Sequence, residues 1–147
     1  MFNKILVVCV GNICRSPTGE RLLQQKLPNK IVSSAGIGTE RSGLTNKPAD
    51  KTAQLIAEQH GVSLEAHQAQ QLTNSLCRQY DLILVMEKGH LDAVHDIAPE
   101  ARGKTMLFGQ WIEHKEIPDP FRKSQEEFEY VFDLIERSAN GWAKKLQ

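Results

Sequence analysis

No apolar run in this 147-residue chain is longer than Ile5 to Val10, far short of the roughly 20 residues a membrane-spanning helix needs. An excess of charge is missing too. The 18 basic residues balance 18 acidic ones, so no overall field draws the chain to nucleic acid or to an anionic membrane surface. Cysteine is scarce and odd in number, at three, which argues against a secreted disulfide framework. The start lacks the basic region, long apolar stretch and small-residue cleavage site of a signal peptide, so the cytoplasm is the expected location. There is no CxxC pair and no HExxH, and His90 and His95 do not share a helical face, so neither a metal nor a cofactor is expected. Gly38 to Thr45 imitates the spacing of a nucleotide-binding loop, but Leu44 stands where the lysine belongs. Repeats, low-complexity tracts and linkers are also absent, and the length suits one domain over residues 1–147.

Short apolar runs alternate with helical patterns. Ile5–Val8, Ile31–Ser34, Leu82–Met86 and Thr105–Phe108 read as strands. Pro17–Lys26 reads as a helix opened by proline, Asp50 and Thr73 as caps of two further helices, and Gly89–Ala98 as a helix stopped by Pro99. The last helix opens with the capping box Ser124-Gln125-Glu126-Glu127 and carries the apolar stripe Phe128, Phe132, Ile135, Ala139 and Trp142. This alternation predicts an α/β fold with a mostly parallel, doubly wound sheet. Ligands in such sheets bind at the carboxyl ends of the strands.

At the end of the first strand stands Cys9-Val10-Gly11-Asn12-Ile13-Cys14-Arg15-Ser16-Pro17. The residues between Cys9 and Arg15 can curl into a ring whose N–H groups point inward, an anion nest at a helix N-terminus. Arg15 can reach across it and grip two phosphate oxygens. Cys9 then lies beneath the phosphorus in a positive field that favours thiolate over thiol. Ser16 can donate a hydroxyl hydrogen bond to that sulfur, and Asn12 suits a left-handed turn in the ring. A departing oxygen needs a proton donor, and Asp119, stiffened by Pro118 and Pro120, is the candidate. From spacing alone, a plain Pro-Asp-Pro surface turn accounts for that segment equally well.

The Cys9–Pro17 string, with Ser34-Ala35-Gly36, Asp81–Glu87 and Asp119-Pro120, resembles the low-molecular-weight protein tyrosine phosphatases over essentially the whole chain. Gly103–Gly109 and Glu116–Pro120 are similar to segments of the bacterial Wzb/Etp-type members. The resemblance implies Cys9 as nucleophile, Arg15 as phosphate clamp and Asp119 as acid and base. It implies a phosphate loop of Val10, Gly11, Asn12, Ile13, Cys14 and Ser16, with Asn12 and Ser16 as its supports. It further implies a three-layer, Rossmann-like sandwich around a four-stranded parallel sheet of order 2-1-3-4. The expected partner is a tyrosine-phosphorylated protein, a membrane-associated bacterial tyrosine kinase governing exopolysaccharide production, met by a monomer or weak dimer that does not insert into membrane. In the family, pairing of the nucleophile with the second loop cysteine, here Cys14, is a reversible shield against over-oxidation.

Departures from the family pattern fall around the substrate. Phe121 replaces a tyrosine after Asp-Pro, and Leu44 stands where eukaryotic members place an aromatic residue; these two are the candidate substrate walls. Gln70 replaces an arginine, and Gly19 replaces the usual alanine at a cost of roughly 0.5–1 kcal/mol. His60 and His67 are expected to be structural or surface residues, and Cys77 to be buried. Two other readings are weighed. A thioredoxin-coupled arsenate reductase needs further relay cysteines where this chain offers only Cys77, and a non-catalytic phosphopeptide-binding module would not need Asp119.

Overall fold

The computed structural model describes residues 2–147. Four parallel strands, β1 (Lys4–Cys9), β2 (Ile31–Gly36), β3 (Leu82–Val85) and β4 (Thr105–Leu107), form a sheet of order β2-β1-β3-β4. Between and after them come α1 (Arg15–Lys26), α2 (Lys51–Gln59), α3 (Asn74–Arg78), α4 (Lys88–Ile97) and α5 (Gln125–Leu146). A 3-10 turn at Pro99–Lys104, unforeseen in the sequence, links α4 to β4; proline at its first turn ends one helix and starts the next.

Both sheet faces are covered, as parallel strands require. Ile5, Val7 and Cys9 point into a core shared with α1, α2 and α5, while Leu6 and Val8 point into a second core with Cys77, Val94 and Leu107. The period-2 alternation of β1 thus serves both layers. Asp50, Thr73 and Ser124 cap α2, α3 and α5 by accepting the N–H groups of Ala53, Leu76 and Glu127. The α5 stripe of Phe128, Phe132, Ile135, Ala139 and Trp142 is buried throughout, and Trp142 Nε1–H donates to the Leu107 carbonyl at 3.1 Å.

Gly19 has a packing reason that its sequence context hides. A Cβ there would lie 3.1 Å from Val7 Cγ1 and 3.2 Å from Phe108 Cζ. Glycine lets α1 pass close over β1, which sets the start of α1 directly beyond the end of the strand. Cys9 ends β1, and Arg15 begins α1.

Candidate active site

The segment joining β1 to α1 is held from outside by its carbonyls. Cys9 and Val10 accept the N–H groups of Ile37 and Gly38, each at 2.9 Å, and Gly11 accepts the Thr39 hydroxyl at 2.9 Å. Asn12 accepts His67 Nε2–H at 2.6 Å, Ile13 accepts Asp50 N–H at 2.8 Å, and Cys14 accepts the Thr18 hydroxyl at 2.9 Å. Every carbonyl from Cys9 to Cys14 is therefore turned outward and satisfied. The N–H groups of Val10 to Cys14 make no bond to another protein group among the described residues, and they belong to the inner side of the ring. Cys14, at the N-cap of α1, supplies no side-chain cap, and the first turn holds no acidic residue. The ring and the open helix end together make an anion nest.

Asn12 locks the ring, with φ at +62°. Its Nδ2 donates to Ser16 Oγ at 2.8 Å and to Ser34 Oγ at 2.9 Å, while its Oδ1 accepts Gln70 N–H at 2.9 Å. The Ser34 hydroxyl in turn donates to Glu20 Oε1 at 2.6 Å. Since Ser16 Oγ already accepts from Asn12, its hydrogen is left for Cys9 Sγ, 2.9 Å away. Asn12 and Ser16 are both fully buried. Grouped in the sequence with the phosphate-contacting residues, they have their side chains behind the loop, out of the cleft lining.

Arg15 is almost wholly buried, and its Nη1 donates to Glu87 Oε2 at 2.5 Å and to the Ile117 carbonyl at 2.8 Å. Nη2 faces Asp119 Oδ2 at 3.9 Å. The Asp119 segment is pinned by Ile117 N–H to the Met86 carbonyl at 2.9 Å, and Asp119 Oδ1 accepts Phe121 N–H at 3.0 Å. Half of the Asp119 side chain is exposed, so its carboxyl is open to the cleft.

These residues surround a cavity of about 270 Å³ lined by Cys9, Val10, Gly11, Ile13, Cys14, Arg15, Ser42, Leu44, Asp119, Phe121 and Arg122. Leu44 leans on the loop so closely that a Cβ on Gly11 would come within 2.9 Å of its Cδ1. Phe121, two residues past Asp119, lines the same cavity. Among the described residues no group of three or more His, Cys, Asp or Glu side chains is placed to hold a metal ion.

Burial, then the carboxylate of Asp50, raises the Cys14 thiol far above the ordinary range, with Cys9 and Asp119 adding to the effect and Arg15 opposing it. Cys14 is therefore held as a thiol beside Cys9. Burial lowers His67, which the hydrogen bond to Asn12 only partly offsets; the ring is neutral with its proton on Nε2. Burial and Arg15 likewise lower His90, against Glu87, Asp119 and Glu116.

Several supports were not singled out in the sequence. Glu87 anchors Arg15, and Ser42 and Arg122 line the cleft, while His67, expected as a structural or surface residue, is one of the loop's clamps. Gln70, noticed only for the arginine it replaces, works through its backbone N–H and through Nε2, which donates to the Ser34 carbonyl at 2.9 Å.

Comparison with protein families matches residues 4–147 to the low molecular weight phosphotyrosine protein phosphatases. The low molecular weight protein-tyrosine-phosphatase Etp of Escherichia coli is 59% identical over 145 residues, covering 99% of this chain and 95% of that protein. The structure of Vibrio vulnificus Wzb in complex with benzylphosphonate superimposes with a TM-score of 0.98 at 65% identity, covering 99% and 100% of the two chains. The tyrosine phosphatase Wzb of Escherichia coli K30, solved with sulphate, gives 0.96 at 53% identity with both chains covered completely (100%).

Proposed function

The chain belongs to the low molecular weight phosphotyrosine protein phosphatases, of the Wzb/Etp type, a family that acts through a cysteine nucleophile, and from that premise we propose how its own residues divide the work. Cys9 attacks phosphorus as the thiolate, forming the S–P bond as the bond to the tyrosyl oxygen breaks. Asp119 gives its proton to the departing oxygen, a contribution worth about 10²–10⁴ in rate. The resulting carboxylate then takes a proton from the water that attacks phosphorus, and the P–S bond breaks to release phosphate and the Cys9 thiolate. The equatorial oxygens are held through both steps by the inward N–H groups and by Arg15. Ser16 donates to the Cys9 sulfur whenever it is a leaving group or a free thiolate.

The observation that carries this reading is the outward engagement of every loop carbonyl, which leaves a ring of N–H donors around Cys9. Leu44 and Phe121 form the walls against which the substrate's aromatic ring stacks. Phosphoserine is too short to fill that rim while its phosphate reaches Cys9.

The substrate is a tyrosine-phosphorylated protein, and a membrane-associated bacterial tyrosine kinase of exopolysaccharide production is the partner that the Wzb/Etp relationship favours. Residues 1–147 act as one phosphatase domain in the cytoplasm, as a monomer or weak dimer. Among the described residues no helix is long and apolar enough to cross a membrane. Cys14 serves as redox partner: once Cys9 is oxidised to the sulfenic acid, the Cys14 thiol condenses with it to a disulfide and water. Against arsenate reduction by a cysteine relay, Cys77 lies in the core on the opposite sheet face from Cys9 and Cys14.

Hydrolysis of an aryl phosphate and of a phosphotyrosine peptide under reducing conditions tests the assignments. Cys9→Ser should be inactive and Asp119→Ala slowed at least a hundredfold. A wild type that releases no phosphate, or a Cys9→Ser that retains activity, refutes them.

A further inference from the structure

Arg122 lines the same cavity as Cys9 and Asp119, yet the mechanism does not use it. Its guanidinium carbon lies 5.3 Å from the centroid of the Phe121 ring, a contact that leaves its N–H donors free. Among the described residues it makes neither an ion pair nor a hydrogen bond. Arg15, the other cation of the cavity, is engaged by Glu87 and by the Ile117 carbonyl.

The backbone singles out the same residue. Lys123 N–H donates to the Pro120 carbonyl at 2.9 Å, closing a turn with Phe121 and Arg122 at its centre. Arg122 has φ at +63°, where glycine or asparagine is the inexpensive occupant. A long charged side chain is thus kept where the backbone disfavours it, and it folds back along Phe121 at the mouth of the cleft. Strain of this kind gathers at sites where the side chain has work to do.

We propose that Arg122 is a specificity-determining residue whose guanidinium forms a carboxylate subsite, favouring peptides with Asp or Glu beside the phosphotyrosine. The proposal rests on the phosphotyrosine phosphatase reading above. With the phosphate on the Cys9 loop and the aromatic ring between Leu44 and Phe121, the neighbouring residues of the peptide are left at the rim. Val10, Ser42 and Phe121 carry no charge there, and Asp119 faces Arg15. Among the residues that line the cavity, selection by charge therefore falls to Arg122, whose planar fork matches a carboxylate through two parallel hydrogen bonds; the Arg41 guanidinium lies outside that lining, beside Gly38.

The test compares two phosphotyrosine peptides that differ only in carrying Glu or Gln on both sides of the phosphotyrosine. The quantity read is the ratio of their kcat/KM values within each variant. Wild type should prefer the Glu peptide about threefold or more at low ionic strength, with the difference in KM and with the ratio shrinking as salt rises. Arg122→Lys should keep part of the preference, whereas Arg122→Gln and Arg122→Gly should bring the ratio to one. Glycine fits the left-handed backbone, so Arg122→Gly separates the side chain from any folding defect. A wild-type ratio of one, or a ratio unchanged in Arg122→Gln and Arg122→Gly, overturns the subsite while turnover of a small aryl phosphate leaves the phosphatase reading standing. Failure to hydrolyse even the aryl phosphate overturns that reading and the subsite with it.

Discussion

Replacing Asn12 by alanine should remove more stability than any other single change within the loop. The substitution deletes two donors, to Ser16 and Ser34, and the acceptor of Gln70 N–H, all between 2.8 and 2.9 Å. Each net hydrogen bond is worth about 0.5–1.5 kcal/mol, and a buried N–H left without a partner costs about 1–3 kcal/mol. Alanine keeps the Cβ crowding that asparagine already bears at φ +62°, so the backbone adds nothing to the alanine loss. The combined loss is about 4 kcal/mol, against a total stability of about 5–15 kcal/mol for a typical protein. Asn12→Gly loses the same hydrogen bonds without the crowding and should be about 1 kcal/mol milder. Urea denaturation of the three proteins reads both quantities. Turnover should fall as well, about tenfold in excess of any unfolded fraction, because the Ser16 hydroxyl is no longer fixed with its hydrogen towards Cys9. An Asn12→Ala loss under about 1 kcal/mol would refute the network argument, and Asn12→Gly proving as costly as Asn12→Ala would refute the backbone one.

His67 is buried neutral with its pKa lowered from the ordinary 6.5, so between the folded value and 6.5 the unfolded chain binds more protons. Its contribution is complete above pH 6.5 and is lost as pH falls through the folded value; His67→Gln, which keeps a donor for the Asn12 carbonyl, should be relatively better at pH 5 than at pH 7.5 in urea denaturation, and an equal difference at both would contradict this. Gly36→Ala places a Cβ against the Thr39 hydroxyl, 2.6 Å from the Val10 carbonyl oxygen and 3.0 Å from Asn12 N. It should cost at least about 2 kcal/mol and nearly all turnover, and a variant with normal melting and kcat would show that the loop tolerates displacement. Peroxide should inactivate the wild type reversibly, with thiol restoring activity, and Cys14→Ser irreversibly; mass spectrometry showing both thiols unpaired in oxidised wild type would rule out the Cys9–Cys14 disulfide.

Much of the fold was legible because its signals are local. The strand alternation, the caps at Asp50, Thr73 and Ser124, and the α5 stripe all lie within a few residues of the element they define. The sheet order comes through the family resemblance, Cys9 and Arg15 are read from the motif itself, Asp119 is a candidate that the resemblance strengthens, and the positive φ expected of Asn12 is present. What stayed hidden is what arrives from far along the chain. His67 reaches Asn12 across 55 positions, Gln70 across 58, and Glu87 reaches Arg15 across 72. Residues 62–72 have no helical or strand periodicity to betray that they pack beneath the loop, and Gln70 contributes largely through a backbone group that any residue but proline possesses. Gly19 shows the same limit: propensity marks it as a weakness in α1, and only the distance to Val7 and Phe108 shows what it makes room for.

The outward carbonyls of the Cys9–Cys14 segment have a consequence for inhibition by product. Because Ile37, Gly38, Thr39, Asp50, His67 and Thr18 shape the loop from behind, the ordering entropy of the anion site is spent during folding rather than at each encounter. Such a preorganised cradle recognises a tetrahedral oxyanion whatever it is attached to. Free phosphate, the product of every turnover, is therefore expected to compete with the next phosphotyrosine for the same N–H groups, raising the apparent KM as inorganic phosphate is added.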